Sequence, residues 1–126
     1  MAEHKTHKDL IVWKRSRNFI KNIYELTNDF PASELYGLTS QLRRAAVSIT
    51  VNISEGYARN SDKELIHFLY ISLGSISEIE TLLLIVSDLE FKDHNHISPL
   101  LNEIEEIRKM LLSLIKHNKS KINFGK

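Results

Sequence analysis

The chain reads as an all-α protein, an antiparallel up-down-up-down four-helix bundle, on three observations. Apolar residues recur at helical spacing along most of its 126 residues, and no run alternates as a strand would. Helix-stop and helix-start signals separate the periodic stretches. The connections are short, which makes consecutive helices antiparallel neighbours. The predicted helices span about 9–28, 36–58, 62–88 and 98–118, within a single domain of residues 1–126 whose termini fray.

Asp9 is placed to cap the first helix, and Leu10, Trp13, Ile20, Ile23 and Thr27 supply its inward stripe. Phe30-Pro31 closes it, because the residue before a proline is pushed out of helical conformation. The second helix starts near Leu35–Thr39 and weakens at Gly56. Ser61 and Glu64 then have the spacing of a capping box, and the third helix runs to about Asp88. A polar loop, Glu90 to His96, precedes Ser98-Pro99, which reads as N-cap and first residue of the fourth helix. Ile97, Leu100, Ile104, Ile107, Leu111 and Leu114 form its seam.

Bulk properties narrow the function classes. A composition 42% hydrophobic and 26% charged belongs to globular proteins rather than disordered ones. Cysteine is absent, which excludes disulfides and thiolate metal sites and fits a cytoplasmic protein. The polar start, Met1 to Lys8, lacks the apolar run of a secretory signal. Glu78, Glu80 and Asp88 interrupt the richest apolar stretch, so no membrane span is expected. The net charge is only +1, but cations crowd the first segment and everything beyond Glu106, while acids gather between Asp62 and Glu106. Such polarity attracts a polyanion to one face or aligns subunits head to tail.

The second helix has too much apolar surface for one bundle. On a wheel, Leu42, Ala45, Ala46, Ile49, Ile53 and Tyr57 form a core arc. Gln41, Arg44, Ser48, Asn52, Glu55 and Arg59 form a polar stripe. Beyond it lies a second apolar arc of Val47, Val51 and Ala58. Full burial of such a valine gains roughly 1.5–3 kcal/mol, so the arc predicts an oligomer interface, although single surface valines are common.

The third helix repeats this excess. Leu65, Ile66, Leu69, Leu73, Ile76, Leu83 and Leu84 make its core arc, and Phe68, Ile79 and Val86 widen it. Ile71, Leu82 and Ile85 interrupt its polar side. Glu80 falls in the apolar arc, where a carboxylate needs a partner, and Arg43 or Arg44 is the expected mate in a buried charge pair.

The run Tyr36-Gly37-Leu38-Thr39-Ser40-Gln41-Leu42-Arg43-Arg44-Ala45-Ala46-Val47-Ser48-Ile49, followed by Asn52-Ile53-Ser54-Glu55-Gly56-Tyr57, carries a family resemblance. With Asp9-Leu10-Ile11-Val12-Trp13, Phe68-Leu69-Tyr70-Ile71-Ser72-Leu73-Gly74-Ser75 and Glu78-Ile79-Glu80-Thr81, it resembles the four-helix bundle proteins encoded in intervening sequences of bacterial large-subunit ribosomal RNA genes. The match runs from about Asp9 to Asp88, and the fourth helix agrees in pattern only. Thr50-Val51 stands where members typically carry Pro-Ser, and Ser54 where alanine is usual. Without that proline the second helix is expected to be straighter. The resemblance implies a ring, commonly a homopentamer. It also implies similarity to the accessory proteins of diversity-generating retroelements, basic pentameric barrels that bind nucleic acid and a reverse transcriptase. It implies no enzymatic activity.

Three functions compete. The leading expectation is a non-enzymatic oligomer associated with RNA or DNA. Lys14, Arg17 and Lys21 share one helical face, and Arg43, Arg44 and Arg59 lie on the second helix. Repeated by symmetry they would form a basic ring that holds phosphates by charge. The alternative is a scaffold that binds a partner protein, with Arg44, Asn52, Glu55 and Arg59 setting subunit register. An enzyme is the weakest reading. His94 and His96 beside Asp93 are a loop pair, His67 and Glu64 lack the second half of a di-metal bundle site, and Ser48 has no histidine base at readable spacing. No metal or cofactor is expected.

Overall fold

Residues 7–124 are described in the computed structural model of the chain, the side chains of Asp9, Asn123 and Phe124 excepted. They form a four-helix bundle: α1 (Ile11–Thr27), α2 (Ser40–Tyr57), α3 (Asp62–Asp88) and α4 (His94–Phe124). The polar start of the sequence, residues 1–6, and the last two residues lie outside the described part.

The cap position of α1 falls at Leu10, in extended conformation and without a side-chain cap bond. Asp9, the expected cap, belongs instead to a preceding 3-10 turn, His7–Asp9. The inward face is rotated from the predicted stripe, since Val12, Ser16, Phe19, Ile23, Leu26 and Thr27 are buried while Trp13 and Ile20 lie half-buried at the margin. The cause is that α1 is flanked on both sides. Trp13 and Thr27 face α2, Arg15 faces α4, and Phe19 and Ile23 occupy the middle.

Between α1 and α2 the chain makes a 3-10 turn and then a π turn, Leu35–Thr39, so α2 begins later than predicted. Gly37 has non-helical torsions, and the Glu34 carboxylate accepts the Leu38 N–H at 3.1 Å. A Cβ on Gly37 would sit 2.7 Å from that same carboxylate oxygen. From Ser40 onward α2 is continuous through Thr50, as expected for a helix without proline. Gly56 lets α2 approach α3 closely, because a Cβ there would lie 3.0 Å from atoms of Leu65 and Phe68.

Ser61 caps α3, its hydroxyl accepting the Glu64 N–H at 3.1 Å. Asp62 and Glu64 in the first turn suit the helix dipole. The other end closes in a Schellman motif: Phe91 N–H donates to the Val86 carbonyl and Glu90 N–H to that of Ser87, with Glu90 at φ 60°. Phe91 then meets Phe30 edge to face at 5.6 Å.

The start of α4 corrects the sequence reading. Asp93 is the cap, its carboxylate accepting the His96 N–H, and Ser98 and Pro99 lie inside the helix. Pro99 is tolerated because its missing donor deprives only the Asn95 carbonyl, and both residues face solvent. The other end also differs. The helix extends past Asn118 to Phe124.

Contacts between helices fix the topology. Trp13 meets Ser54 and Arg43 meets Thr27, Ser72 meets Ile49 and Leu65 meets Gly56, Tyr70 meets Lys119 and Glu80 meets Arg108. In each pair of helices one number falls as the other rises, so neighbours run antiparallel. Arg15–Glu103 and Lys92–Asp29 close α4 back onto the α1 side in the same sense. The core lies between, with Phe19, Leu42, Ile49, Leu69, Leu83 and Ile104 fully buried.

Two leucines of α3 exchange their expected roles. Leu82 is buried, seven residues on from Ser75, whose hydroxyl bonds to Ser48 of α2, so α2 covers that flank. Leu84 is 50% exposed, one turn beyond Glu80 on the flank that reaches outward to α4. By length and composition α3 would also suffice to cross a membrane, with mean hydropathy 1.6 over its richest 18 residues. In the fold it is a core helix packed between α2 and α4.

Candidate nucleic-acid interface

Spacings of three and four residues put Lys14, Arg17 and Lys21 on the face of α1 opposite Val12, Phe19 and Ile23. All three are exposed, and none has an acidic partner among the described residues. With Asn18 they line a shallow groove of about 390 Å³. The Arg17 guanidinium lies 5.2 Å from the Trp13 ring centroid, and that indole is fixed by donating to Ser54 Oγ at 2.9 Å. Arg15, between them in sequence, points away and makes a bidentate pair with Glu103 at 2.6 and 3.1 Å.

Arg43 and Arg44 of α2, and Arg59 just past its end, do not join this patch as one surface. Arg43 clips α2 to α1, donating to Thr27 Oγ1 at 2.9 Å and stacking 4.3 Å over Tyr24. Arg59 bonds to Glu55 at 3.1 Å, approaches Glu64 at 4.0 Å and lies over Phe68. Arg44 is exposed and has no partner among the described residues. Glu80 pairs with neither Arg43 nor Arg44. Its partner is Arg108 at 2.7 Å, which also bonds to Glu105, and the Glu80 side chain is 41% exposed. The buried pair is therefore replaced by a surface pair on the α4 flank of α3, worth about 0–1 kcal/mol.

The predicted contact arc lies in the open. Val51 is 52% exposed, Ala58 is exposed and Val47 is half-buried. Val47 and Val51 line a groove of about 420 Å³ with Tyr24, Arg43, Arg44 and Asn52, while Ala58 lies beyond it along the helix. Tyr36, named in the sequence only within the resemblance, is 92% exposed on the π turn. Tyr70, likewise named only there, accepts from Lys119 at 2.8 Å beside exposed Leu112. A tyrosine next to a helix-breaking glycine was the available signal for Tyr36.

Polar and titratable groups elsewhere make local contacts. His96 Nδ1 lies 2.8 Å from Asp93, and this hydrogen bond, with those from the backbone, holds the Asp93 carboxyl below its usual range. Lys92 does the same for Asp29 through a hydrogen bond. Burial, with the Asp62 charge adding to it, raises the Tyr57 hydroxyl. His67 packs edge-on against Phe68, and Ser48 accepts from Ser75 and Asn52. Among the described residues no three His, Asp or Glu side chains converge as a metal site would require.

The fold and surface define a helical-bundle protein with exposed basic and apolar patches. The chain matches the family described as 23S rRNA-intervening sequence protein over residues 8–113, and it belongs to that family. It is similar to a 1.70 Å crystal structure from Bacteroides thetaiotaomicron VPI-5482, described as a protein with unknown function from the S23 ribosomal protein family. The two are 28% identical with a TM-score of 0.75, covering 84% of this chain and 99% of the other. No curated protein matches the chain.

Proposed function

We propose that the chain is a non-enzymatic subunit of a cytoplasmic homo-oligomer that holds RNA, or DNA, on the Lys14–Arg17–Lys21 face of α1. The observation that carries this reading is three exposed cations on one helical strip with no acidic partner among the described residues. An isolated strip of three charges binds weakly. Repetition around an oligomer, with a homopentamer as the state the family resemblance implies, turns it into a multivalent surface. Arg43 and Arg59 are engaged within the subunit and contribute less, and no base-reading element accompanies the patch. Binding is then governed by charge and counterion release.

Gel retardation of single-stranded RNA across a salt series tests this. Wild type retards RNA at low salt, with log K falling against log salt by about two per subunit for three phosphate contacts. The triple charge reversal K14E/R17E/K21E abolishes retardation while the native mass stays unchanged. Retardation that survives the reversal, or that ignores salt, contradicts the reading. The exposed apolar groove at Val47 and Val51 favours a second reading, a scaffold for a partner protein. A partner retained after nuclease treatment, with no RNA retardation, would select it.

A further inference from the structure

The outer surface of α3 is unusual for a helix whose inner surface already serves the core. His67, Ile71, Gly74, Glu78, Thr81 and Ile85 are all exposed and repeat at spacings of four and three, the seam spacing of helix–helix contacts. Tyr70 and Leu84 flank them, also exposed. From Glu64 through Glu90 every charged side chain is acidic. Gly74 is mid-helix, where glycine is disfavoured relative to alanine, yet a Cβ there would meet nothing within 4 Å. Nothing inside the subunit requires it.

We propose that this outer face of α3 is the counter-surface for the Val47–Val51 groove of a second copy of the chain, in a head-to-tail contact. The proposal rests on the oligomer reading and adds which faces meet. Charge complementarity chooses the occupant. The groove presents the unpartnered Arg44 beside its valines, with Arg43 held to Thr27 and Tyr24, whereas α3 presents Glu78 and Asp88 beside its isoleucines, with Lys119 at the Tyr70 edge. Two α3 faces together would oppose carboxylates, and two α2 faces would oppose guanidinium groups. The α2 arc, Ser40, Arg44, Val47, Val51 and Ala58, has the same alternation of four and three up to Val51, so two helical seams meet. Because donor and acceptor faces differ, the contact is heterologous, and its repetition closes a ring if the rotation allows. The Lys14–Arg17–Lys21 strip lines a separate groove on α1.

The chain contains no cysteine, so single cysteines report contacts cleanly. V51C is co-expressed with G74C or with I85C under separate tags, and the purified protein is treated with a bismaleimide. The expected result is a cross-linked dimer carrying both tags, with only traces in V51C, G74C or I85C expressed alone. V51C joined mainly to itself, or an α3 variant joined to itself, overturns the head-to-tail pairing. Absence of any cross-link in a protein whose native mass is a multiple of the chain places the interface elsewhere and leaves the oligomer reading standing. A wild-type mass of a single chain removes both.

Discussion

Thr50 and Ser54 show how single side chains settle this structure. Ser16 Oγ already donates to the Trp13 carbonyl at 2.8 Å, so in its 2.8 Å contact with Thr50 the threonine hydroxyl is the donor. Ser54 accepts the Trp13 indole N–H from the same helix. Thr50 and Ser54, both among the departures from the pattern that the resemblance implies, thus tie α2 to α1 by hydrogen bonds, as Arg43 does through Thr27. Thr50→Val keeps the shape and removes the buried donor, and it should cost about 1 kcal/mol in urea denaturation. At the other end of the bundle, the Asp93 carboxyl is held below its ordinary range mainly by the His96 hydrogen bond. A depressed carboxyl pKa means stability present above the unfolded value and lost as pH falls through the folded one. NMR titration should find the Asp93 midpoint low in wild type and returned towards normal in His96→Ala. The partner of Glu80 was not legible, because a wheel places a residue on a flank without saying which neighbour covers it. Only the packing order, with α2 and α4 on opposite flanks of α3, selects Arg108 over Arg43.

Helix ends separate what local chemistry fixes from what the surroundings decide. Ser61 with Glu64 reads as a capping box at the start of α3, and the structure makes its Ser61 half, while the Glu64 carboxylate lies near Arg59. Ser98-Pro99 announced a start too, yet Asp93 four residues before Ile97 outcompeted it, since proline is acceptable early in a helix when its side faces water. The π turn before α2 had no reading in periodicity, because Leu35, Tyr36 and Leu38 fit an ordinary helix and only Gly37 marks the break. The Schellman motif after α3 carries Glu90 in left-handed conformation, a place suited to glycine, with a negative charge at a helix C-terminus. Glu90→Gly relieves both penalties and should stabilise the fold by about 1 kcal/mol, read as a higher denaturation midpoint with an unchanged slope. No change would mean that the carboxylate has compensating interactions in solution.

For the molecule as a whole, the bundle was legible because amphipathic periods, short connections and antiparallel order agree with one another. Its outward function was less so. The wheel singled out Val47 and Val51, and they are accessible in the subunit, but the apolar outer arc of α3 was divided between core and polar side until Leu82 and Leu84 took their places. Likewise the sequence offers six basic residues in two groups for a basic ring, and intramolecular partners for Arg43 and Arg59 reduce them to a strip on α1 and a lone Arg44. At this scale the proposed assembly repeats the α1 strip and buries the apolar faces of α2 and α3. The native mass of the purified protein, measured by light scattering before and after nuclease, tests it most directly. The prediction is a multiple of the 14.6 kDa chain in both cases, with nucleic-acid absorbance in the first sample and none in the second. A single-chain mass in both samples, free of nucleic acid, would contradict it.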